Sequence, residues 1–277
     1  KPFLSYVIGF ISFVILVYLS IPFFFNYSNY GPKLERKILE NFSLRTSVKG
    51  EIKYKFLPYP TLEVRKIEIN DFKKSKKILG KVDKIILKIP FKKLASVKKI
   101  DFNSLQIEKA KIKINLDQLK YYENYFSENF KSKPISFSKS EIDFYDKNKH
   151  IVSINDVNLN YLSDITADKT ILTGKFLGDD IVIQFQNKKD QILSKNISLK
   201  LKNLGLLSII NLSDPKSNGG INGNFKLKFE DTNFGSDFVY KNNLIKIDNG
   251  KLKSYFFNGK ISGVFGFDPF FDFNLNP

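Results

Sequence analysis

The sequence predicts a β-rich chain, its strands mainly antiparallel, with one N-terminal transmembrane helix and a few short helices. Three observations carry this. Apolar and polar residues alternate in short runs from Glu51 almost to the C-terminus, as in Ile52, Tyr54 and Phe56 against Glu51, Lys53 and Lys55. Such period-two alternation marks strands with one dry and one wet face. Turn residues break the runs at short intervals, which suits a sandwich, a barrel or an elongated sheet. The stretch Phe3–Phe25 contains no charged residue.

That stretch is the anchor. At about 1.5 Å per residue it spans roughly the 30 Å hydrocarbon core of a bilayer. Phe3, Val7, Phe10, Phe13, Val17, Ile21 and Phe25 are its expected membrane-spanning positions, and Phe23, Phe24, Phe25, Tyr27 and Tyr30 suit an interfacial aromatic belt. A cleaved signal peptide fits less well, because the run exceeds the ~7–15 apolar residues of such a segment and no small-x-small site follows. Lys33, Arg36 and Lys37 taken alone favour a cytoplasmic C-terminal side, but large domains translocate largely regardless of nearby charge. The chain begins with Lys1, lacks Met and stops just after an alternating strand, so it reads as a processed or truncated chain of 277 residues.

Gly31-Pro32 opens a short helix, Lys33–Asn41, with Leu34, Ile38 and Leu39 on one side. A hairpin follows within Val48–Asp71. Pro58 and Pro60 fix Leu57–Pro60 as its turn, and Leu62 and Val64 alternate in the second limb. The apolar positions then shift to Ile67 and Ile69, so a bulge is expected at Arg65–Lys66. After a basic loop at Lys73–Lys77, Ile85, Leu87 and Ile89 predict a strand, and Pro90-Phe91 leads to a single turn around Leu94. Leu105 and Ile107 begin another strand, with a second odd step at Lys109 before Ala110, Ile112, Ile114 and Leu116. The two blocks form a weak internal repeat.

Asp117 caps an expected helix through about Asn129, with Leu119, Tyr122 and Phe126 in line. Strands resume at Ile142/Phe144, Val157/Leu159/Tyr161, Ile171/Thr173, Ile181/Ile183/Phe185 and Ile197/Leu199/Leu201. Leu204–Leu212 reads as an apolar turn or helix, and Asp214–Gly220 as a linker. Phe225/Leu227/Phe229, Leu244/Ile247, Ile261 and Phe265/Phe267 mark the last strands. Three parts are expected: an anchor and interfacial segment (1–30), a β-rich domain (31–213) and a continuing β repeat (214–277).

The chemical inventory is sparse. No Cys is present, which removes disulfides, thiol nucleophiles and Cys-ligated metals. His150 is the only His and sits in a polar turn, where a surface role is expected. No Ser lies in a Gly-x-Ser-x-Gly elbow, and Gly219–Phe225 leads into a strand, so it reads as a turn and not a phosphate loop. Asp143/Asp146 and Asp179/Asp180 read as loop carboxylates. No catalytic residue, metal or cofactor is expected, and the chain reads as a non-enzyme. The net charge of +17 admits anionic head groups or nucleic acid as partners. Lys, Asn, Ile and Phe are abundant together, however, and lysine fills the wet strand faces. The apolar span and the dominance of Lys over Arg argue against nucleic acid.

Three segments resemble the AsmA-like family of bacterial envelope proteins, which is related to chorein-type lipid-transfer proteins. They are VKGEI…PYPTLEVRKIEIND (Val48–Asp71), Val82–Ile114 and Ile247–Asp268; Thr46-Ser47 stands where the family usually has Thr-Gly. The resemblance implies an elongated, curled sheet whose apolar groove holds phospholipid acyl chains. It also implies an inner-membrane, single-pass anchor with the bulk of the chain in the periplasm, and a role in phospholipid transport and outer membrane biogenesis, with an outer-membrane or envelope protein as a further partner. The groove candidates are Ile52, Tyr54, Phe56, Leu62, Val64, Ile85, Leu87, Ile89, Ile112, Ile114, Ile183, Phe185, Leu199, Leu201, Phe225, Leu227, Phe229, Phe265 and Phe267. The same alternation suits a closed β domain, so the alternative is a non-transporting envelope scaffold or assembly factor. A lipopolysaccharide-export component is disfavoured by the helical inserts and the length.

Overall fold

Strands prevail among the described residues from Thr46 onward. The computed structural model describes residues 2–24, 27, 29–71, 78–94, 101–119, 121–122, 125, 133–189, 195–213, 220–242, 244–266 and 270–276. They form two helices and one open, mixed sheet of 16 strands, and the chain divides into two units, Lys1–Asp156 and Val157–Pro277.

In the first unit, α1 (Pro2–Ser20) is uncharged and 19 residues long. It ends before the expected Phe25, because Pro22 supplies no N–H and disfavours helical backbone at Ile21; Ile21–Phe24 form a 3-10 turn instead. Among the described residues no helix is long and apolar enough to cross a membrane. The side chains described in α1 begin at Ser5, and from there to Ser20 the rise is about 24 Å.

Helix α2 (Gly31–Phe42) starts with Pro at its first turn and ends at Ser43, which adopts a left-handed φ of 55° and donates its N–H to the Leu39 carbonyl. It buries Leu34, Ile38 and Phe42. Leu39, expected on that face, is exposed instead; Phe42, one turn beyond Ile38, takes its place.

The first-unit strands are β1 (Thr46–Val48), β2 (Ile52–Lys55), β3 (Thr61–Asn70), β4 (Ile78–Lys88), β5 (Ser104–Asn115) and β6 (Ile135–Asp146). The Pro-rich turn closes the β2–β3 hairpin, with Tyr54 opposite Leu62 and Ile52 opposite Val64. The two expected phase changes are real. Lys66 in β3 and Lys109 in β5 have φ of 51° and 53°, and the buried side switches across each of them. Both lie opposite the same stretch of β4, between Val82 and Lys84. Lys139 in β6 repeats the left-handed conformation, as does Asp156 in β7 (Lys149–Ser163). The phase change is thus carried from strand to strand.

Strands β5 and β6 pair in parallel, which requires a crossover. Much of that crossover, including Phe126 of the expected 117–129 helix, lies outside the described residues. What is described ties it to α2: Tyr125 donates to the Ser43 carbonyl at 3.0 Å. The Lys133 ammonium binds Asn41 Oδ1, and also the Asp101 carboxylate and the Phe102 carbonyl, each at 2.9 Å.

β7 runs across the division. The second unit is an antiparallel meander of β8 (Ala167–Phe176), β9 (Asp179–Lys188), β10 (Lys195–Leu201), β11 (Leu206–Ser213), β12 (Ile221–Phe229), β13 (Thr232–Lys241), β14 (Leu244–Lys253), β15 (Asn258–Gly266) and β16 (Phe270–Asn276). The expected helix or turn at Leu204–Leu212 is instead a turn followed by β11; Gly205, at a φ of 61°, supplies the left-handed residue of that turn. The expected linker falls largely outside the described residues, and β11 and β12 on its two sides pair directly.

Candidate functional site

The apolar side of the sheet has two different fates. In the first unit it is a packed core. Tyr54, Leu62, Val64, Ile85, Leu87 and Ile89 are buried together with Leu34, Ile38 and Phe42 of α2 and with Leu94 and Phe102. Ile52, Phe56 and Ile112 pack against this core and are half-buried, and Ile114 is half-buried. Six of these groove candidates are thus buried in a core shared with α2 and the residues around Leu94 and Phe102, while Ile52, Phe56, Ile112 and Ile114 are only partly buried. α2 contributes Leu34, Ile38 and Phe42 to this core.

In the second unit every described element is a strand. Register brings the remaining candidates into rows. Ile183 lies opposite Leu199, Phe185 opposite Ile197, and Ile181 opposite Leu201. β11 continues the rows with Ser208 and Ile210, and β12 with Leu227 and Phe225. Ile183, Phe185, Leu199, Phe225, Leu227, Phe229 and Phe265 are all half-buried, whereas Leu201 is buried. Phe267 lies outside the described residues. Beyond β12 the same side carries Phe234 and Phe238 of β13, Ile245 and Leu252 of β14, and Ile261 of β15.

Sequence reading missed β13 altogether, since Gly235, Ser236 and Asp237 interrupt its apolar residues. The spacing of Phe234 and Phe238 about Ser236 nevertheless keeps period two. Two rings lie close on the sheet because glycine leaves room for them. A Cβ on Gly223 would collide with the Phe238 ring, and one on Gly250 would sit 2.8 Å from the Phe234 ring. Phe225 and Phe234 pack with ring centroids 5.7 Å apart.

The opposite side of the same strands is mixed, with Leu207 and Val239 exposed on it among polar residues. Asn196, Asn211 and Asn224 form a cross-strand ladder of side-chain amides, with contacts of 2.5 and 2.8 Å. Beside it, Lys226, Lys228, Lys251 and Lys253 surround Gly235 in a shallow depression of about 420 Å³ floored by Leu207 and Ile209. Lysine thus fills wet strand faces here, as composition suggested.

Three carboxylates are tied into ion pairs or backbone hydrogen bonds. Lys55 bonds Glu63 at 2.5 Å and Arg65 lies 3.5 Å away, and they hold its carboxyl below the usual range despite burial. Asp164 accepts from the Ala167 and Thr166 N–H groups, each at 2.7 Å, and from the Thr166 hydroxyl, and these bonds lower its pKa. Asp179 accepts from the Asn203 and Leu204 N–H groups in the β10–β11 turn.

His150 is less isolated than its turn suggested. Its Nε2 lies 2.8 Å from the Ser153 hydroxyl, which donates to Asp143 at 2.6 Å. Burial pushes the Asp143 carboxyl up, but the Ser153 hydroxyl and Lys111, 3.5 Å away, outweigh it and hold it below its usual range. In an acyl-transfer triad the carboxylate orients the imidazole, and the imidazole takes the serine proton. Here that proton is directed to the carboxylate, so the cluster is not ordered as a triad. Among the described residues no group of three or more His, Asp or Glu is placed to hold a metal ion.

Of the expected spanning residues, Val7, Phe10, Phe13 and Val17 lie in α1 with their side chains exposed. Phe3 is in α1 with its side chain outside the described set, Ile21 is half-buried in the 3-10 turn, and Phe25 lies outside the described residues.

No curated protein and no solved structure matches the chain. A family model does: that of the AsmA family aligns with residues 4–230. That span takes in α1, the Pro-rich hairpin, the parallel crossover and the meander through β12, and on it the chain belongs to the AsmA family.

Proposed function

We propose that this chain is anchored in the inner membrane by α1, keeps its bulk in the periplasm and holds phospholipid acyl chains on the apolar side of its second unit, taking part in phospholipid transport between the inner and outer membranes. The observation that carries the reading is the half-exposed apolar side of β9–β15. Phenylalanine, leucine and isoleucine meet in register there with no helix among the described residues of that unit, whereas the first unit's apolar strand residues share a buried core with α2. Contiguous apolar surface of this kind marks a binding surface. Each acyl methylene removed from water onto it gains about 0.8 kcal/mol. Passive transfer requires no catalytic group.

The anchor part of the reading rests on α1 taken whole. Its 19 uncharged residues rise about 28 Å, and Tyr6 to Val17 expose apolar side chains on all sides. The helix has no polar face that would suit it to water.

The test is site-specific photo-cross-linking in vesicles of phosphatidylethanolamine and phosphatidylglycerol. A photoreactive phenylalanine at Leu199 or Leu227 should capture lipid, and one at Lys200 or Lys228 on the other side should not. Equal capture from both sides would defeat the lipid reading. Capture of protein alone would favour the scaffold alternative.

A further inference from the structure

Packing along α1 changes abruptly at Tyr18. Tyr6 to Val17 are exposed, whereas Tyr18 and Leu19 pack against the core of the first unit. Two hydrogen bonds fix the junction. The Tyr18 hydroxyl donates to the Phe91 carbonyl at 2.8 Å, and the Tyr54 hydroxyl to the Leu19 carbonyl at 3.0 Å. The Leu19 carbonyl is among the last of the helix, which lack partners within it. The Tyr27 hydroxyl secures the chain beyond the helix by donating to the Pro22 carbonyl at 2.9 Å.

Exposed apolar side chains lie on the segments that meet at this junction. Leu57 is 70% exposed, Tyr59 55%, Phe91 53% and Phe24 85%. They come from three separate segments: the turn between β2 and β3, the turn after β4, and the 3-10 turn that follows α1. Thr61 pairs with Lys88, and the Ile89 N–H bonds the Pro60 carbonyl, so both strand turns leave the same end of the sheet. The Lys88 ammonium lies 5.3 Å from the Tyr59 ring, and Lys92 is exposed next to Phe91. Aromatic and leucine tips flanked by lysines match the chemistry of the bilayer interface, where rings sit at head-group depth and lysines extend to the phosphates.

Resting on the reading of α1 as a membrane anchor, we propose that Leu57, Tyr59 and Phe91 form a membrane-contact rim. The rim enters the interfacial layer beside α1, and together with the Tyr18 and Tyr54 hydrogen bonds it fixes the height and tilt of the first unit on the bilayer. A single transmembrane helix leaves its attached domain free to swing. Three insertion points and two hydrogen bonds at the junction remove that freedom.

The chain contains no Cys, so single cysteines can carry an environment-sensitive fluorophore without a background. Leu57→Cys, Tyr59→Cys and Phe91→Cys test the rim; the last leaves the carbonyl that Tyr18 binds. Phe10→Cys reports the anchor. Ile78→Cys is the control, at the opposite end of β4 and about 30 Å away along the strand. The full chain is reconstituted in phosphatidylethanolamine–phosphatidylglycerol vesicles carrying nitroxide lipids, with the nitroxide either close to the head group or near the chain end.

The rim labels should lose at least half their emission to the shallow nitroxide and less to the deep one. Phe10 should be quenched most by the deep nitroxide, and Ile78 by neither. If the rim labels behave like Ile78 while Phe10 is quenched, the rim is refuted and the anchor stands. If the rim labels are quenched but Phe10 is not, the tips touch lipid with no anchor beside them, and both the anchor reading and the rim as proposed fail. If neither is quenched, both fail.

Discussion

A carboxylate placed on the apolar side should have opposite consequences in the two units. Leu62 is fully buried between Tyr54 and Leu87, in the cluster that α2 completes. Removing its side chain forfeits about 2–5 kcal/mol of packing, and burying an unpaired polar group adds several more. The sum consumes most of an ordinary stability of about 5–15 kcal/mol, so Leu62→Asp should unfold the first unit. Leu199 has the same sequence character but is half-buried, with Ile183 on one side and Ser208 on the other. A carboxylate there can reach water, and the loss is limited to roughly half of the ~1.5–3 kcal/mol that full burial of a leucine contributes. Leu199→Asp should therefore stay folded but repel an acyl chain. Urea unfolding followed by circular dichroism reads the stability, and lipid capture by a photoreactive residue at Leu227 reads the binding. Lys200→Asp, on the opposite side, should change neither. If Leu199→Asp is as destabilising as Leu62→Asp, the second unit is a packed core and the reasoning fails. If lipid capture survives Leu199→Asp, this side does not hold the lipid.

Further outcomes follow from single features. Alkaline carbonate should leave the native chain in the membrane pellet, and its release into the supernatant would remove α1 as an anchor. The folded-state pKa of Asp164 is depressed by backbone and hydroxyl donors, so the bonds it accepts stabilise fully above its unfolded value near pH 4 and are lost as pH falls through the lower folded value. The urea midpoint of the native chain should accordingly drop between pH 5 and pH 2 by more than that of Asp164→Asn, and parallel curves would count against this role. Gly223→Val should cost about 1–3 kcal/mol through overpacking, because its Cβ would meet the Phe238 ring and stand 2.8 Å from the Asn211 carbonyl. An unchanged midpoint would mean that the ring swings clear.

Much of this architecture is legible in the sequence because strands write their burial directly into alternation. The hairpin of Ile52, Tyr54, Leu62 and Val64 is legible together with its turn, since two prolines leave little freedom between the limbs. The phase changes at Lys66 and Lys109 were equally visible, because a single left-handed residue inverts which parity faces the core. Other elements were misread for identifiable reasons. Leu206–Ser213 carries apolar residues on both faces, so periodicity did not separate strand from helix. β13 is broken by Gly235 and Asp237, which separate its two phenylalanines and mask their alternation. Leu39 falls on the apolar side of α2 by spacing, although Phe42 is the residue that completes it.

By itself the sequence determined the AsmA resemblance, the dominance of strands, the uncharged N-terminal run and the set of apolar residues that share each strand face. It did so because side-chain period and the loss of an N–H at proline are local properties. Only the tertiary structure decided which of those faces is open. Leu62 and Leu199 are indistinguishable by pattern, yet one is buried in the cluster that also holds Leu34, Ile38 and Phe42 of α2, while the other is half-buried between two neighbouring strands. Whether a helix from elsewhere in the chain folds over a given face is a long-range contact, and alternation within a strand carries no information about it.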